Sequence, residues 1–193
     1  MKVLQINSVC GIGSTGRITT DLYKVLEESG HDCLIAYGRY NAPKDINSIK
    51  IGSNIDNYMH FVYTKLFDKH GFASSNATIK FINQVIKYDP DIIHLHNLHG
   101  YYINIEVLFE YLSNSGKPVI WSLYDCWSFT GHCSHFDLIG CNKWINGCYK
   151  CPLKREYPSS YIFDNSQDNY TRKKNIINSY DKITIVAPTR WLS

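Results

Sequence analysis

Short apolar strands alternate with helical periodicity along almost the whole chain, and few folds accommodate that alternation. Residues 3–6, 33–37, 91–96, 119–123 and 182–187 read as strands. Between them, 17–29, 55–70, 76–87, 105–112 and 169–180 place apolar residues at helical spacing. Continuous apolar runs such as that in DIIHLH suit parallel strands buried on both faces. The reading is α/β: a Rossmann-like, doubly wound, mainly parallel sheet carrying one long Cys-rich loop. With 193 residues, 44% hydrophobic and 19% charged, the chain suits one folded core, so 1–193 is expected to be a single lobe and disorder is excluded.

The helices are expected to turn specific faces inward. In 17–29 these are Ile18, Leu22, Val25 and Leu26; in 76–87 they are Ile79, Ile82, Val85 and Ile86. The stripe of Ile55, Tyr58, Met59, Val62 and Leu66, widened by Phe61 and Phe67, is read as core packing, with a membrane-surface helix as the alternative. Arg172, Lys173 and Lys174 read as a solvated basic face, and 182–187 as a final buried strand.

Chemistry is expected where strands end. After the first strand, Gly11, Gly13 and Gly16 satisfy G-x-G-x-x-G immediately before a helix. Glycines let backbone approach a ligand closely, and free amides at a helix start attract anions. A dinucleotide site would place an acid near the end of the second strand; this chain has Arg39 there, which suits a 2′-phosphate instead. His94 is read as a hydrogen-bonded core histidine. His96, Asn97, His99 and Tyr101 cluster where the strand 91–96 ends, and Tyr124 and Asp125 follow the next strand to the same sheet edge.

Residues 124–158 form a loop without regular periodicity, and loops of that length in a compact domain usually carry a binding role. Cys133, Cys141, Cys148 and Cys151 read C-x7-C-x6-C-x2-C within it. The closing C-x-x-C lets two thiolates hold one ion from a tight turn, so a structural zinc is expected, with His132 and His135 as substitute ligands. Free thiols or a disulfide are the alternatives.

The bulk numbers exclude other classes. A net charge of +3 is too weak to point to nucleic acid. MKVLQINSV reads as a strand, not a signal peptide, and no apolar run approaches the roughly 20 residues of a spanning helix, so a cytoplasmic protein with reduced thiols is expected.

Four segments together carry a family likeness: NSVCGIGSTGRI, HLHNLHGYYINIEVLFEYL, SLYDCWSFTGHCSHFDLIGCNKWINGCYKCP and VAPTRWLS. They resemble the N-terminal half of bacterial family 4 glycosyltransferases, in particular those of colanic acid and capsular polysaccharide synthesis. The resemblance implies a GT-B architecture of two Rossmann-like lobes, these residues being the acceptor-side lobe. The donor-binding lobe, with its Glu-rich motif, is expected to lie outside the chain, and the isolated fragment is expected to be inactive.

By the same resemblance, Gly11, Gly13, Ser14, Thr15, Gly16 and Arg17 form the glycine loop facing donor phosphates and acceptor. His96, Asn97, His99 and Tyr101 line the cleft edge, with Tyr124, Asp125 and His99 at the reacting centre. The implied reaction moves a sugar, with retention, from a nucleotide-sugar to a glycan or lipid-linked acceptor in surface polysaccharide synthesis. It needs no catalytic cofactor and brings the protein to the inner face of the membrane as a peripheral contact. Family members often read Leu-His-Asp-Cys-Trp where this chain has Leu123-Tyr124-Asp125-Cys126-Trp127. A tyrosine with a pKa near 10 is a poor base at neutral pH, so Tyr124 weakens the catalytic reading. Two other classes stay open: an NADP-dependent oxidoreductase domain, and a non-catalytic carbohydrate-binding or zinc-stabilised interaction lobe.

Overall fold

The computed structural model describes residues 1–193. Its strands are β1 (Lys2–Val9), β2 (Asp32–Arg39), β3 (Ser48–Lys50), β4 (Ile92–Leu95), β5 (Val119–Ser122) and β6 (Ile183–Val186). They form one sheet in the order β3-β2-β1-β4-β5-β6, and every neighbouring pair is parallel. The helices are α1 (Gly13–Glu28), α2 (Asn54–Phe67), α3 (Ser75–Tyr88), α4 (Ile105–Ser115), the single turn α5 (Lys143–Asn146) and α6 (Ser166–Asn178). The doubly wound reading holds. Strand order reverses between β1 and β4, and sheets of this kind open a crevice at that point, beyond the carboxyl ends of their strands.

The core lies on both faces of the sheet. Leu4, Ile6, Ile93, Leu95, Phe109, Trp121 and Trp127 belong to the larger cluster, and Val3, Cys10, Tyr23, Cys33 and Ile35 to a smaller one. Gln5 and Asn7, which interrupt the apolar run of β1, are fully buried yet satisfied. Gln5 Nε2 donates to the Thr19 carbonyl at 3.2 Å, and Asn7 Nδ2 to Thr19 Oγ1 at 2.9 Å. Asn104 caps α4 by accepting from the Val107 amide, and Gly116, at φ 60°, ends that helix in the left-handed region.

Several expected faces are wrong, each for a local reason. α1 buries Gly16, Thr19, Thr20 and Tyr23, leaving Ile18 and Val25 exposed, because its inner face must answer the polar side chains of β1. α3 buries Ala77, Thr78, Phe81 and Val85, while Ile79 and Ile86 face outward. In α2 only His60 and Thr64 are buried; Ile55, Tyr58, Met59, Phe61, Leu66 and Phe67 are all exposed, so the core-packing reading of that stripe fails. β6 is an edge strand, with Ile185 and Val186 exposed. Lys173, read as solvated, is 2% exposed, because α6 turns it under the Cys-rich loop, where its Nζ donates to the Trp127 carbonyl. No helix is long and apolar enough to cross a membrane.

Candidate functional site

Three strand ends meet at the crevice. β1 leads through Cys10 into the glycine loop, β4 into His96–Tyr101, and β5 into Tyr124 and Asp125. Asn7 Oδ1 accepts from the Ser8 amide at 2.9 Å and the Asn97 amide at 3.2 Å, which stitches the end of β1 to the turn after β4. A Cβ on Gly11, which sits at φ +75°, would lie 2.7 Å from the Pro43 ring, so the loop's tight path needs glycine there. Ile12 precedes α1 with no side-chain cap, and Gly13 and Ser14 are exposed. Thr15 is half-buried and Gly16 buried, while Arg17 folds back so that its Nε donates to the Gly13 carbonyl at 3.2 Å.

His96, Asn97, His99, Tyr124 and Asp125 line one small cavity at the ends of β4 and β5. His96 is 1% exposed. Its Nε2 lies 3.0 Å from Gln5 Oε1 and its Nδ1 2.9 Å from the Tyr124 hydroxyl. Because the Gln5 amide nitrogen is spent on Thr19, the Gln5 oxygen must accept, which puts the imidazole proton on Nε2 and makes Tyr124 the donor to Nδ1. Burial, with His94 adding to it, pushes the His96 pKa down to about 3, so the ring is neutral. Burial also raises the Tyr124 phenol, opposed by a hydrogen bond with Ser122. His94 is hydrogen-bonded as expected, its Nε2 2.9 Å from Ser122 Oγ, but it is half-buried and not part of the core.

His99 is wired differently. Its Nε2 stands 2.5 Å from Asp125 Oδ2 and its Nδ1 2.9 Å from the Tyr157 hydroxyl. Asp125 Oδ1 also accepts from the Trp127 amide at 2.9 Å. Burial raises the Asp125 carboxyl, but the His99 hydrogen bond and charge, with the Trp127 amide, outweigh it and hold the group below the usual range. Asp125 is therefore an ionised carboxylate whose oxygens each keep a second lone pair. Tyr101, at φ 66°, is buried and stacks on His70 with ring centroids 4.5 Å apart; burial pushes its phenol up to about 12.

Sequence reasoning missed several members of this cluster. Tyr157 is separated from His99 by the whole Cys-rich loop. His70 is buried between Tyr101, Trp127 and Tyr157, its Nε2 accepting from the Gly100 amide at 3.0 Å and its Nδ1 without a partner. His60 accepts from the Gly71 amide and packs edge-on to His70 and Tyr101. A histidine in His70-Gly71, ahead of a helix start, was the one available signal. At the end of β2 the Tyr102 ring lies against Gly38, where an added Cβ would meet it at 2.2 Å.

A larger concavity than this lies elsewhere. A groove of about 450 Å3 runs between α2 and α3, lined by Met59, Val62, Tyr63, Leu66 and Phe67, with His60 reaching it from the cluster. In the loop, Cys133, Cys141, Cys148 and Cys151 line a single small cavity. His132 also lines it, but its Nδ1 is bound to the Asp68 carboxylate and its Nε2 lies 3.4 Å from the Glu156 carbonyl. His135 is exposed and does not line the cavity. His132 is thus committed to Asp68, and His135 does not face the cysteines, so neither stands as the substitute ligand the sequence suggested.

No protein-family model matches the chain. It is 28% identical over 170 residues to WcaC of Escherichia coli (strain K12), provisionally named a colanic acid biosynthesis glycosyl transferase, an alignment that covers 82% of this chain and 41% of that protein. The chain thus spans less than half the length of this curated relative. Among solved structures, UDP-GlcNAc 2-epimerase from Methanocaldococcus jannaschii aligns with 96% of this chain and 45% of its own, at 18% identity and a TM-score of 0.42. The resemblance to colanic acid glycosyltransferases read from the residues has a curated counterpart in WcaC.

Proposed function

We propose that these residues are the acceptor-side lobe of a glycosyltransferase that moves a sugar, with retention, from a nucleotide-sugar to a glycan or lipid-linked acceptor in surface polysaccharide synthesis. The observation that carries this is the convergence of the glycine loop, Asn97, Tyr124 and the His99–Asp125 pair at the switch point of the sheet. The similarity to WcaC supports it independently of the geometry.

In this reading a bond forms between an acceptor hydroxyl oxygen and the anomeric carbon of the donor. The bond from that carbon to the diphosphate breaks, the nucleoside diphosphate leaves with the electron pair, and its phosphate oxygen takes the acceptor proton. What the lobe supplies is alignment and charge, terms that reach several kcal/mol when donors are pre-placed. The exposed start of α1 offers backbone amides to the phosphates. Asp125, kept ionised, accepts from the acceptor hydroxyl and holds its place through His99. Tyr124 already donates its hydroxyl hydrogen bond to His96, so its oxygen acts towards substrate as an acceptor.

A lipid-linked acceptor is supported by the apolar groove between α2 and α3 and by the exposed aromatic face of α2. Beside that face, Lys65 Nζ lies 5.0 Å from the Phe61 ring centroid and 4.9 Å from that of Tyr161. In this reading the protein works on the cytoplasmic side as a peripheral membrane enzyme. The test is to supply the full-length protein with labelled UDP- and GDP-sugars and lipid-linked glycans. Label is expected to appear in the glycan with the donor's anomeric configuration; no transfer from any nucleotide-sugar overturns the proposal.

A further inference from the structure

The long loop has two halves that are held very differently. From Cys126 to Ser134 most side chains are buried, and the His132–Asp68 pair and the Lys173 bond to Trp127 fasten the segment to α2 and α6. Beyond Ser134 the chain offers little to a core: Leu138 is 93% exposed, and Ile139, Ile145 and Tyr149 are also exposed. Its regular structure is one 3-10 turn, Asp137–Ile139, and the single turn α5. Segments of this kind normally require a covalent or metal staple.

We propose that Cys133, Cys141, Cys148 and Cys151 hold one structural zinc ion. All four line the same cavity, whose volume of about 10 Å3 is roughly that of one water-sized sphere. Phe136, Trp144 and Pro152 supply apolar walls. Cys133 and Cys151, the two ends of the motif, face this same cavity. Since His132 is committed to Asp68, the donors are four sulfurs, a set that selects zinc over magnesium or calcium. As the side chains stand, no group of three or more His, Cys, Asp or Glu is set to hold a metal ion. Closing a tetrahedral site therefore requires the thiols to rotate inward, from residues that already surround the gap.

The consequence reaches the crevice. Asp125 opens the loop and Tyr157 closes it, and these are the two partners of His99. A metal that clamps the intervening chain fixes both at once, so zinc acts here as a positioning element, with no part in bond making.

The test is metal analysis of the full-length protein purified without chelator, which is expected to find one zinc per chain. Cys148→Ser with Cys151→Ser should abolish it, while Cys10→Ser with Cys33→Ser, on the far side of the sheet, should retain it. If the first pair does not fold, cobalt replacement in the unaltered protein decides: thiolate-to-cobalt charge-transfer bands with tetrahedral d–d bands are expected. Protein without zinc whose four loop thiols react freely and which gives no cobalt spectrum overturns the proposal. So does zinc that survives loss of Cys148 and Cys151.

Discussion

Two tyrosine–histidine chains lie side by side at the end of β4 and differ in what stands behind the imidazole. Tyr124 donates to His96, which is backed by the amide of Gln5; Tyr157 is bonded to His99, which is backed by the carboxylate of Asp125. The first chain is neutral and buried, and it fixes geometry. The second ends in an ionised group at the crevice and can meet developing charge or a hydroxyl proton. The same residue pair is made structural or chemical by its last member. Tyr124, where relatives of the resembled family often carry histidine, stands in the structural chain, so its replacement does not remove the charged one.

Asp125→Asn should break this distinction with the largest effect. Turning the second chain into a copy of the first is expected to lower sugar transfer by the full-length protein by about 100-fold or more, on the scale of a lost acid–base or aligning group. The melting temperature should move by only a few degrees; a variant with unaltered turnover contradicts the assignment.

Acid sensitivity comes next and reads the buried neutral histidines, His96 of the first chain among them. Burial lowers the folded-state pKa of His96 and of His60 to about 3, and of His94 to about 4, whereas the unfolded chain titrates near 6.5. Below pH 6.5 the unfolded state binds more protons, so this contribution is fully present above 6.5 and is lost as pH falls towards 4. Each group costs about 2 kcal/mol at pH 5.0. Urea midpoints at pH 7.5 and 5.0 should differ accordingly, and equal midpoints would refute the neutral wiring.

The smallest effects separate the two tyrosines. Tyr124→Phe leaves His96 Nδ1 without its donor and should cost about 1–2 kcal/mol of stability. It should reduce turnover only a few-fold. Tyr157→Phe should cost about as much stability but more turnover, since it frees His99. Calorimetry beside the transfer assay checks both, and the reverse ranking would exchange the roles.

How far the sequence reveals this site follows from the range of its contacts. The sheet, the glycine loop and the gathering of His96, His99, Tyr124 and Asp125 are legible, because strand periodicity and strand-end placement are local properties. Tyr157, His70 and the Asp68–His132 pair are not, since each meets its partner only through the tertiary fold, 58, 30 and 64 residues apart in the chain. Lys173 sits in a basic run that looks solvated, and only the packing of α6 beneath the loop buries it. α2 misleads in the opposite direction. Its apolar stripe has helical spacing, which gives no sign of whether core or surface covers it, and the face that packs inward is marked by His60 and Thr64.

Amide hydrogen exchange on the full-length protein, with and without UDP- and GDP-sugars, tests most directly whether the crevice is where substrate sits. Protection is predicted at Gly11–Arg17, Asn97–Tyr101 and Leu123–Asp125, with little change along the outer face of α2. Protection confined to the α2–α3 groove, or absent with every sugar nucleotide, would contradict the account.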